Sequence, residues 1–479
     1  MRGTLESRFE IPDAFGEDIA ATLIAAFTHT NPEREAKRAM GFRFWFRIPA
    51  TLTTATRKDG VLSFPRGGMD KVLGILADHG IALAVDDKRS LGRGKKLPAH
   101  TVQLRPYQED AVEAILDRET CLLRSGTGSG KTTIALAAAA RSGVATLVIV
   151  PNRALHEQWV ERARKELGLA RSQVGEIRGG NYVLLPLTIG VQRSVAIHAK
   201  KGELQSYFGM VIADEASLFG ATTFFECIDP FPSKYRIGVS ADHRRKDRKE
   251  YLIHDLFGDV AMEISSAALI ADGHLVDVEI RMLPTQFDAP WYGVGGGKEV
   301  DFTGLVQAMA DDEARNQIVI NSVKAMHEER GQLLVLAHTR NHCAMLAERF
   351  RDDGLTAALL LRGDAAAFAS GIDDIRSGRA MVGVGTYKAI GLGLDLPAVG
   401  GVVAATPIAA NEQMFGQVRG RVCRPSPGKK DAVMVYLWDR NVFGRKHLEN
   451  VSRWNANTFV YEYGELTPAK QALGKKGNR

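Results

Sequence analysis

Ser125-Gly126-Thr127-Gly128-Ser129-Gly130-Lys131-Thr132 is the stretch of this chain whose residue types and spacing point most directly to chemistry. Its glycines let successive backbone N–H groups curl around phosphate oxygens, and a helix starting just after it adds a favourable dipole. An apolar run, CLLR, precedes it and a helical run, TTIALAAAA, follows, which is the strand–loop–helix context a phosphate loop requires. In that reading Lys131 reaches the β- and γ-phosphates and the Thr132 hydroxyl holds Mg²⁺. Ser125 stands where the G-x-x-x-x-G-K-[ST] pattern opens with glycine, and a small residue there still permits the turn.

Asp214 and Glu215 follow the apolar run MVIA, about 80 residues after the loop, a spacing that suits a later strand of the same sheet. Acidic pairs commonly end strands, but opposite a phosphate loop Asp214 can hold Mg²⁺ and Glu215 can activate water. Further on, Gln417, Arg421 and Arg424 fall at i, i+4 and i+7 and share a helix face. Such a row is either a solvated basic face or an arginine finger that stabilises transition-state charge on a γ-phosphate.

The elements that must position these groups can be read from the apolar pattern. Runs at 121–124, 146–150, 187–191, 210–214 and 236–240 alternate with helical segments, as in a buried parallel sheet. The pattern recurs at 333–337, 357–361, 381–385, 400–405 and 432–438, predicting a duplicated α/β unit with a cleft between the copies. The expected divisions are an N-terminal accessory zone with a basic linker at 1–98, α/β domains at 99–272 and 273–450, and a C-terminal tail at 451–479. The linker is placed in the basic stretch 86–98, DDKRSLGRGKKLP, and the Gly-rich piece 293–299 is read as a flexible loop. The polar end, KQALGKKGNR, is expected to fray.

Composition bounds the answer further. The 479 residues are 45% hydrophobic and 25% charged, which excludes disordered, collagenous and coiled-coil chains. No apolar run approaches the roughly 18 residues a membrane span needs, and the first residues lack a signal peptide's apolar core. Cys121, Cys227, Cys343 and Cys423 are scattered, which argues against a zinc or iron–sulfur site and fits a reducing cytoplasm, bacterial or viral in a host. The net charge of +6 tilts toward polyanionic partners. Residues 42–48, FRFWFRI, read as a strand with Phe42, Phe44, Phe46 and Ile48 on one face and Arg43, Trp45 and Arg47 on the other. The second face suits phosphate contact and base stacking, or else a packed Arg–Trp surface. The segment 68–80 reads as a short amphipathic helix, which makes the front zone a small α+β module.

With these motifs in order, the chain resembles superfamily 2 helicases and translocases of the XPB/UvsW-like branch over residues 100 to 440. Leu104-Arg105-Pro106-Tyr107-Gln108 is similar to the adenine-contacting segment, with Gln108 reading the base. Pro151-Asn152-Arg153 and Thr188-Ile189-Gly190 resemble motifs Ia and Ib, His338-Thr339-Arg340 resembles motif IV, and Thr386 through Gly393 and Asp395 resembles motif V. The segment Ala314-Arg315-Asn316 is also similar to this branch. The resemblance implies two tandem RecA-like domains and ATP–Mg²⁺ as the nucleotide. Strand contacts would come from motifs Ia, Ib and IV and from Thr386, while Gly393 and Asp395 would face the nucleotide. It also implies a monomeric DNA motor moving 3′ to 5′ on single-stranded or branched DNA in recombination, repair or replication, largely without sequence preference. Two departures stand out. Ser217 replaces a common His in motif II, and Asp242-His243 replaces Thr-Pro in motif III, which bears on coupling of hydrolysis to strand separation. The alternatives are a restriction motor with a separate nuclease, an RNA helicase and an ATP-gated nucleic-acid binder. In the first, the nuclease is expected to be a separate partner, because little sequence follows residue 450 to house one.

Overall fold

The computed structural model describes residues 1–98, 103–126, 128–199, 202–216, 221–240, 248–292, 301–361, 363–390, 396, 398–408, 415–416, 418–420, 425–426, 428–429 and 431–474. The chain divides into two compact units, Met1–Ser265 and Ser266–Arg479. Each is built on an eight-stranded, mostly parallel sheet with helices, the pattern of tandem RecA-like domains. Among the described residues, no helix is long and apolar enough to cross a membrane.

In the first unit the sheet runs in the order Asn181–Val183, Val174–Arg178, Leu187–Val191, Thr146–Val150, Met210–Asp214, Tyr235–Ser240, Thr120–Ser125 and Val260–Ile264. Only the Asn181–Val183 edge is antiparallel. The central strands Thr146–Val150 and Met210–Asp214 bury all five of their residues, as strands covered on both faces must. One strand, Tyr235–Ser240, separates the phosphate-loop strand from the one ending in Asp214.

The same unit contains an N-terminal module. Its five-stranded sheet runs Thr56–Lys58, Val61–Pro65, Arg8–Pro12, Arg2–Leu5, Ala84–Asp87, packed on the helices Glu17–Ala26 and Met69–Asp78. Phe9, Ile11, Leu23, Phe27, Phe64 and Leu76 form its core. The module is fastened to the larger sheet by polar groups. Arg8 donates to Asp229 at 2.6 Å, Thr54 donates to Asp255 at 2.6 Å, and the buried Arg236 donates to the Ser7 carbonyl at 2.8 Å. Buried Arg66 donates to the Ser233 carbonyl at 2.5 Å. At Gly67 the two backbones meet so closely that a Cβ would lie 2.2 Å from the Gly258 nitrogen.

The basic stretch expected to be a free linker is instead a strap on this unit. The Ser90 N–H donates to Pro232 at 2.7 Å, Arg93 to Ser206 at 2.9 Å and Gly94 to Tyr207 at 3.0 Å. Lys88, Arg93, Lys95 and Lys96 are exposed, but Arg89 turns inward to Glu119 at 2.6 Å, so composition marked the exposure and missed the bonds. The 42–48 strand is also corrected. Chain reversal at Met40 and Gly41 leads into a 3-10 turn at Trp45–Arg47, because Trp45 packs its ring against Arg34 and Arg38 of the preceding helix.

The second unit's sheet runs Ala357–Leu360, Val382–Thr386, Leu333–Ala337, Gly401–Ala404, Asp431–Trp438, Asp277–Pro284, Thr458–Glu462 and Glu465–Pro468. The expected C-terminal tail therefore supplies two strands and the helix Ala469–Gly474, which includes the start of the segment expected to fray. Asn455 holds this extension to the sheet by donating to the Val278 carbonyl at 2.7 Å. The Gly-rich piece 293–299 lies outside the described residues. At the unit's centre Arg315 and Asp439, both fully buried, pair through two contacts of 2.9 and 3.1 Å. Arg315 also donates to the Ala405 carbonyl, and Thr285 donates to Asp439 at 2.6 Å.

Breaking that pair with Arg315→Ala leaves a buried carboxylate uncompensated, so urea unfolding of the variant is expected to lose about 3–5 kcal/mol. Three histidines of this unit, His338, His342 and His447, are held at about 4 chiefly by burial, against 6.5 when exposed. The unfolded chain then binds more protons between those values. Stability is full above pH 6.5 and is lost as pH falls toward 4. Urea midpoints at pH 7, 6 and 5 should decline in step, and His447→Phe should flatten the decline.

Candidate phosphate-binding site

The strand Thr120–Ser125 delivers the loop, and the helix Lys131–Ser142 leaves it. Gly128 (φ 92°) and Gly130 (φ 83°) take left-handed conformations that turn backbone N–H groups inward. Ser125 is fully buried and its hydroxyl bonds that of Ser129, which in turn donates to the Gly126 carbonyl at 2.8 Å. The serine in the pattern's first position thus braces the loop from within. Thr127 lies outside the described residues.

Gln108 closes the loop from the other side. Its amide donates to the Ser129 carbonyl at 3.2 Å and accepts from the Arg105 N–H at 3.0 Å, and a Cβ on Gly130 would strike it at 2.4 Å. Tyr107 donates to the same Ser129 carbonyl at 2.9 Å, a contact the sequence reading missed. Arg105 is exposed at the start of the helix Pro106–Arg118.

Across one strand stand the two carboxylates. Lys131 pairs with Glu215 at 3.0 Å, with both side chains mostly buried. Glu215 reaches the lysine because its backbone is left-handed (φ 52°), a strained state for a residue with a side chain. Asp214 is buried, and burial first and Glu215 second raise its carboxyl's pKa, against the pull of Lys131. Its two oxygens are held by the Trp159 indole N–H at 2.7 Å and by the Glu215 backbone N–H at 3.0 Å. Trp159 was not singled out by the sequence reading. The signal was a Trp at the seventh position of an otherwise amphipathic helix, Arg153–Leu167, whose ring is 1% exposed.

This arrangement gathers Ser125, Gly126, Gly128, Ser129, Gly130, Lys131, Thr132, Gln108, Asp214 and Glu215 at the carboxyl ends of three adjacent strands, where open α/β sheets bind ligands. It offers a cation and a helix N-terminus to phosphate, and hard oxygen donors at Thr132 and Asp214. Among the described residues no group of three or more His, Cys, Asp and Glu could cage a metal ion, so a cation here would take its remaining ligands from phosphate and water.

The expected strand-contact residues are divided by the structure. Arg153 and Arg340 are exposed, while Pro151 is half-buried. Asn152 accepts from the Leu155 N–H at 3.1 Å, Thr339 from the His342 N–H at 3.2 Å and Thr386 from the Ala389 N–H at 3.2 Å, so each caps a helix. Thr188 is corrected: it is fully buried, and its hydroxyl donates to the Leu185 carbonyl at 2.8 Å. Gly190 is buried too, with Val195 where a side chain would be. Both lie within the five-residue strand Leu187–Val191, Thr188 next to its start and Gly190 next to its end. His338 is bonded to Thr406 at 2.8 Å and kept neutral by burial, so it brings no positive charge. Gln417, Arg421, Arg424, Gly393, Asp395, Ser217, Asp242 and His243 lie outside the described residues.

Comparison with known proteins agrees with this geometry. The family described as "Type III restriction enzyme, res subunit" matches residues 101–245. A Halobacterium salinarum protein that carries the name DNA 3′–5′ helicase Rad25 is 32% identical over 43% of this chain, which spans 35% of that relative's length. A protein of Escherichia phage T5 that carries the name helicase D10 is 26% identical over 76% of this chain and 77% of its own. In fold, the chain is similar to a fragment of an HsdR subunit of a type I restriction enzyme from Vibrio vulnificus, at TM-score 0.55 and 15% identity over 91% of this chain and 83% of that one.

Trp159→Phe keeps the ring and deletes the donor that orients Asp214. Titration with a fluorescent nucleoside triphosphate should show affinity about tenfold weaker in the presence of Mg²⁺ and unchanged without it. Equal affinity in both conditions would leave the indole with a packing role only.

Proposed function

We propose that this chain, which fits the superfamily 2 helicases of the XPB/UvsW-like branch, is an ATP-dependent DNA helicase or translocase. The observation that carries the reading is the Lys131–Glu215 pair at 3.0 Å beside Asp214 at the carboxyl ends of central strands. A triphosphate entering the loop displaces Glu215 from Lys131, which then neutralises the β- and γ-phosphates. Freed, Glu215 orients the attacking water and holds its proton. Thr132 and Asp214 would hold Mg²⁺, which supplies charge neutralisation at the β- and γ-oxygens. Gln108 is the proposed base-reading residue, and its contact with the Ser129 carbonyl beside Gly130 supports that reading. Arg421 and Arg424 are the proposed source of the positive charge that stabilises the transition state, with Gln417 assigned to the same role.

DNA is the proposed polymer, gripped mainly through its phosphates, with Arg153 and Arg340 as exposed cations of motifs Ia and IV. Single-stranded and branched DNA in recombination, repair or replication are its proposed substrates, and 3′ to 5′ the proposed direction. The name of the Halobacterium salinarum relative, a DNA 3′–5′ helicase, supports DNA and the direction. A restriction motor working with a separate nuclease is the second reading, favoured by the description of the family matched over residues 101–245.

Steady-state ATPase rates with no nucleic acid, single-stranded DNA, forked DNA and RNA test the proposal. DNA should stimulate the wild type at least tenfold, and Glu215→Gln should lose 10²–10³-fold or more of that rate, roughly the size expected for a general base. Equal rates with and without any nucleic acid would overturn it. Preference for RNA would move the substrate.

A further inference from the structure

Residues 32–50 leave the N-terminal module as an arm. At its base Thr28–Thr30 and Thr51–Thr53 pair antiparallel, apart from the five-stranded sheet. The arm consists of the helix Pro32–Ala39, capped by Asn31, and the 3-10 turn Trp45–Arg47. None of residues 32–50 is buried, yet the arm carries three phenylalanines, a tryptophan and a methionine. Met40 is 77% exposed, Phe42 46%, Phe44 42% and Phe46 57%. The strand reading thus fails: Phe42, Phe44 and Phe46 form no strand face, are on the surface and supply no core.

The rings are ordered relative to one another. Phe42 meets Phe44 edge-on at 6.5 Å, and Phe44 meets Phe46 at 6.3 Å. Cations sit among them: Arg47 lies 4.8 Å and Arg43 5.7 Å from the Phe44 centroid, and Lys37 lies 5.3 Å from that of Phe42. Between residues 32 and 50 there are five Lys and Arg (34, 37, 38, 43, 47) against two Glu (33, 35), a local +3. Of the two carboxylates, Glu33 faces Lys249 at 3.9 Å.

Exposed apolar rings on a soluble surface mark a binding site, and the charge selects the occupant. Flat π-faces interleaved with guanidinium groups match a polymer that alternates flat bases with phosphates. A duplex hides its base faces, so rings of this kind engage only unpaired bases. We propose that the 32–50 arm is a single-strand stacking site, with Phe42, Phe44 and Phe46 receiving bases while Arg43 and Arg47 meet phosphates. This rests on the reading of the chain as a DNA motor, to which it adds a contact point outside the two RecA-like sheets.

The test uses the full chain and a fluorescein-labelled oligothymidylate, with a duplex of equal length as comparison, read by anisotropy without nucleotide. Phe44→Ala/Phe46→Ala should weaken oligothymidylate binding about tenfold or more, the stacking loss of one or two bases, and leave duplex binding within twofold. Phe44→Tyr/Phe46→Tyr should restore it, because a phenol stacks as a phenyl ring does. Arg43→Gln/Arg47→Gln should lower the slope of log affinity against log salt by about 1–1.5. Wild-type oligothymidylate affinity in the alanine pair would overturn the proposal, as would equal loss on both DNAs. A change confined to self-association in sedimentation, or to binding of anionic vesicles, would overturn it in favour of a protein or lipid partner. These outcomes are separable from failure of the motor reading, in which wild-type ATPase ignores DNA while the arm's variants still differ in binding.

Discussion

A carboxylate at the end of a buried strand is costly unless its charge is answered, and Asp214 sets that constraint for the first unit. The indole of Trp159, the Glu215 N–H and the nearby Lys131 all answer it. Each answer has a structural consequence. Trp159 ties the helix Arg153–Leu167 to the end of the central strand Met210–Asp214, Glu215 adopts a left-handed backbone, and Lys131 leans from its helix toward the acids. Without nucleotide, the site is a closed circuit of opposite charges. An incoming triphosphate replaces one member of it rather than filling a bare cationic hole.

The same helix begins at Arg153, the exposed cation of motif Ia. A single rigid element therefore has one end at the residues proposed to touch a strand and its interior ring on Asp214. Coupling between polymer and hydrolysis needs a physical connection with few soft joints, and this one spans two turns of helix. The second unit solves its own electrostatic problem differently. Arg315 and Asp439 neutralise each other in full burial and pin Ala405, just past the strand Gly401–Ala404.

Much of the architecture was legible because buried parallel strands write themselves as unbroken apolar runs. The segments around 121, 146, 187, 210 and 236 and their five counterparts in the second unit all became strands. Those missed have mixed patterns. Asp277–Pro284 alternates buried and half-buried residues, with Glu279 and Arg281 paired beside each other, and Val260–Ile264 is half-covered at an edge. The phosphate loop and its acids were legible because the chemistry dictates their types. The Thr188 contact was misread because a threonine inside a strand and one at its end look alike in sequence, and only register separates them. The 42–48 segment alternates as a strand does, but Gly41 and cations stacked on Trp45 turned it into a helical bend.

The seam between the N-terminal module and the first sheet, with buried Arg66 and Arg236 and backbones touching at Gly67, leaves no slack between them. Parts joined this way share their displacements. The base of the arm at 32–50 belongs to the same body, with Thr54 on Asp255 and Glu33 facing Lys249. Transplanting the module to another motor would then require its footprint on the sheet, residues 229–236 and 254–258, to travel as well. The strap at 86–98 is a second tie across the same joint, with Arg89 on Glu119 at 2.6 Å and Ser90 bonded to Pro232, so it shares the load with Arg66 and Arg236.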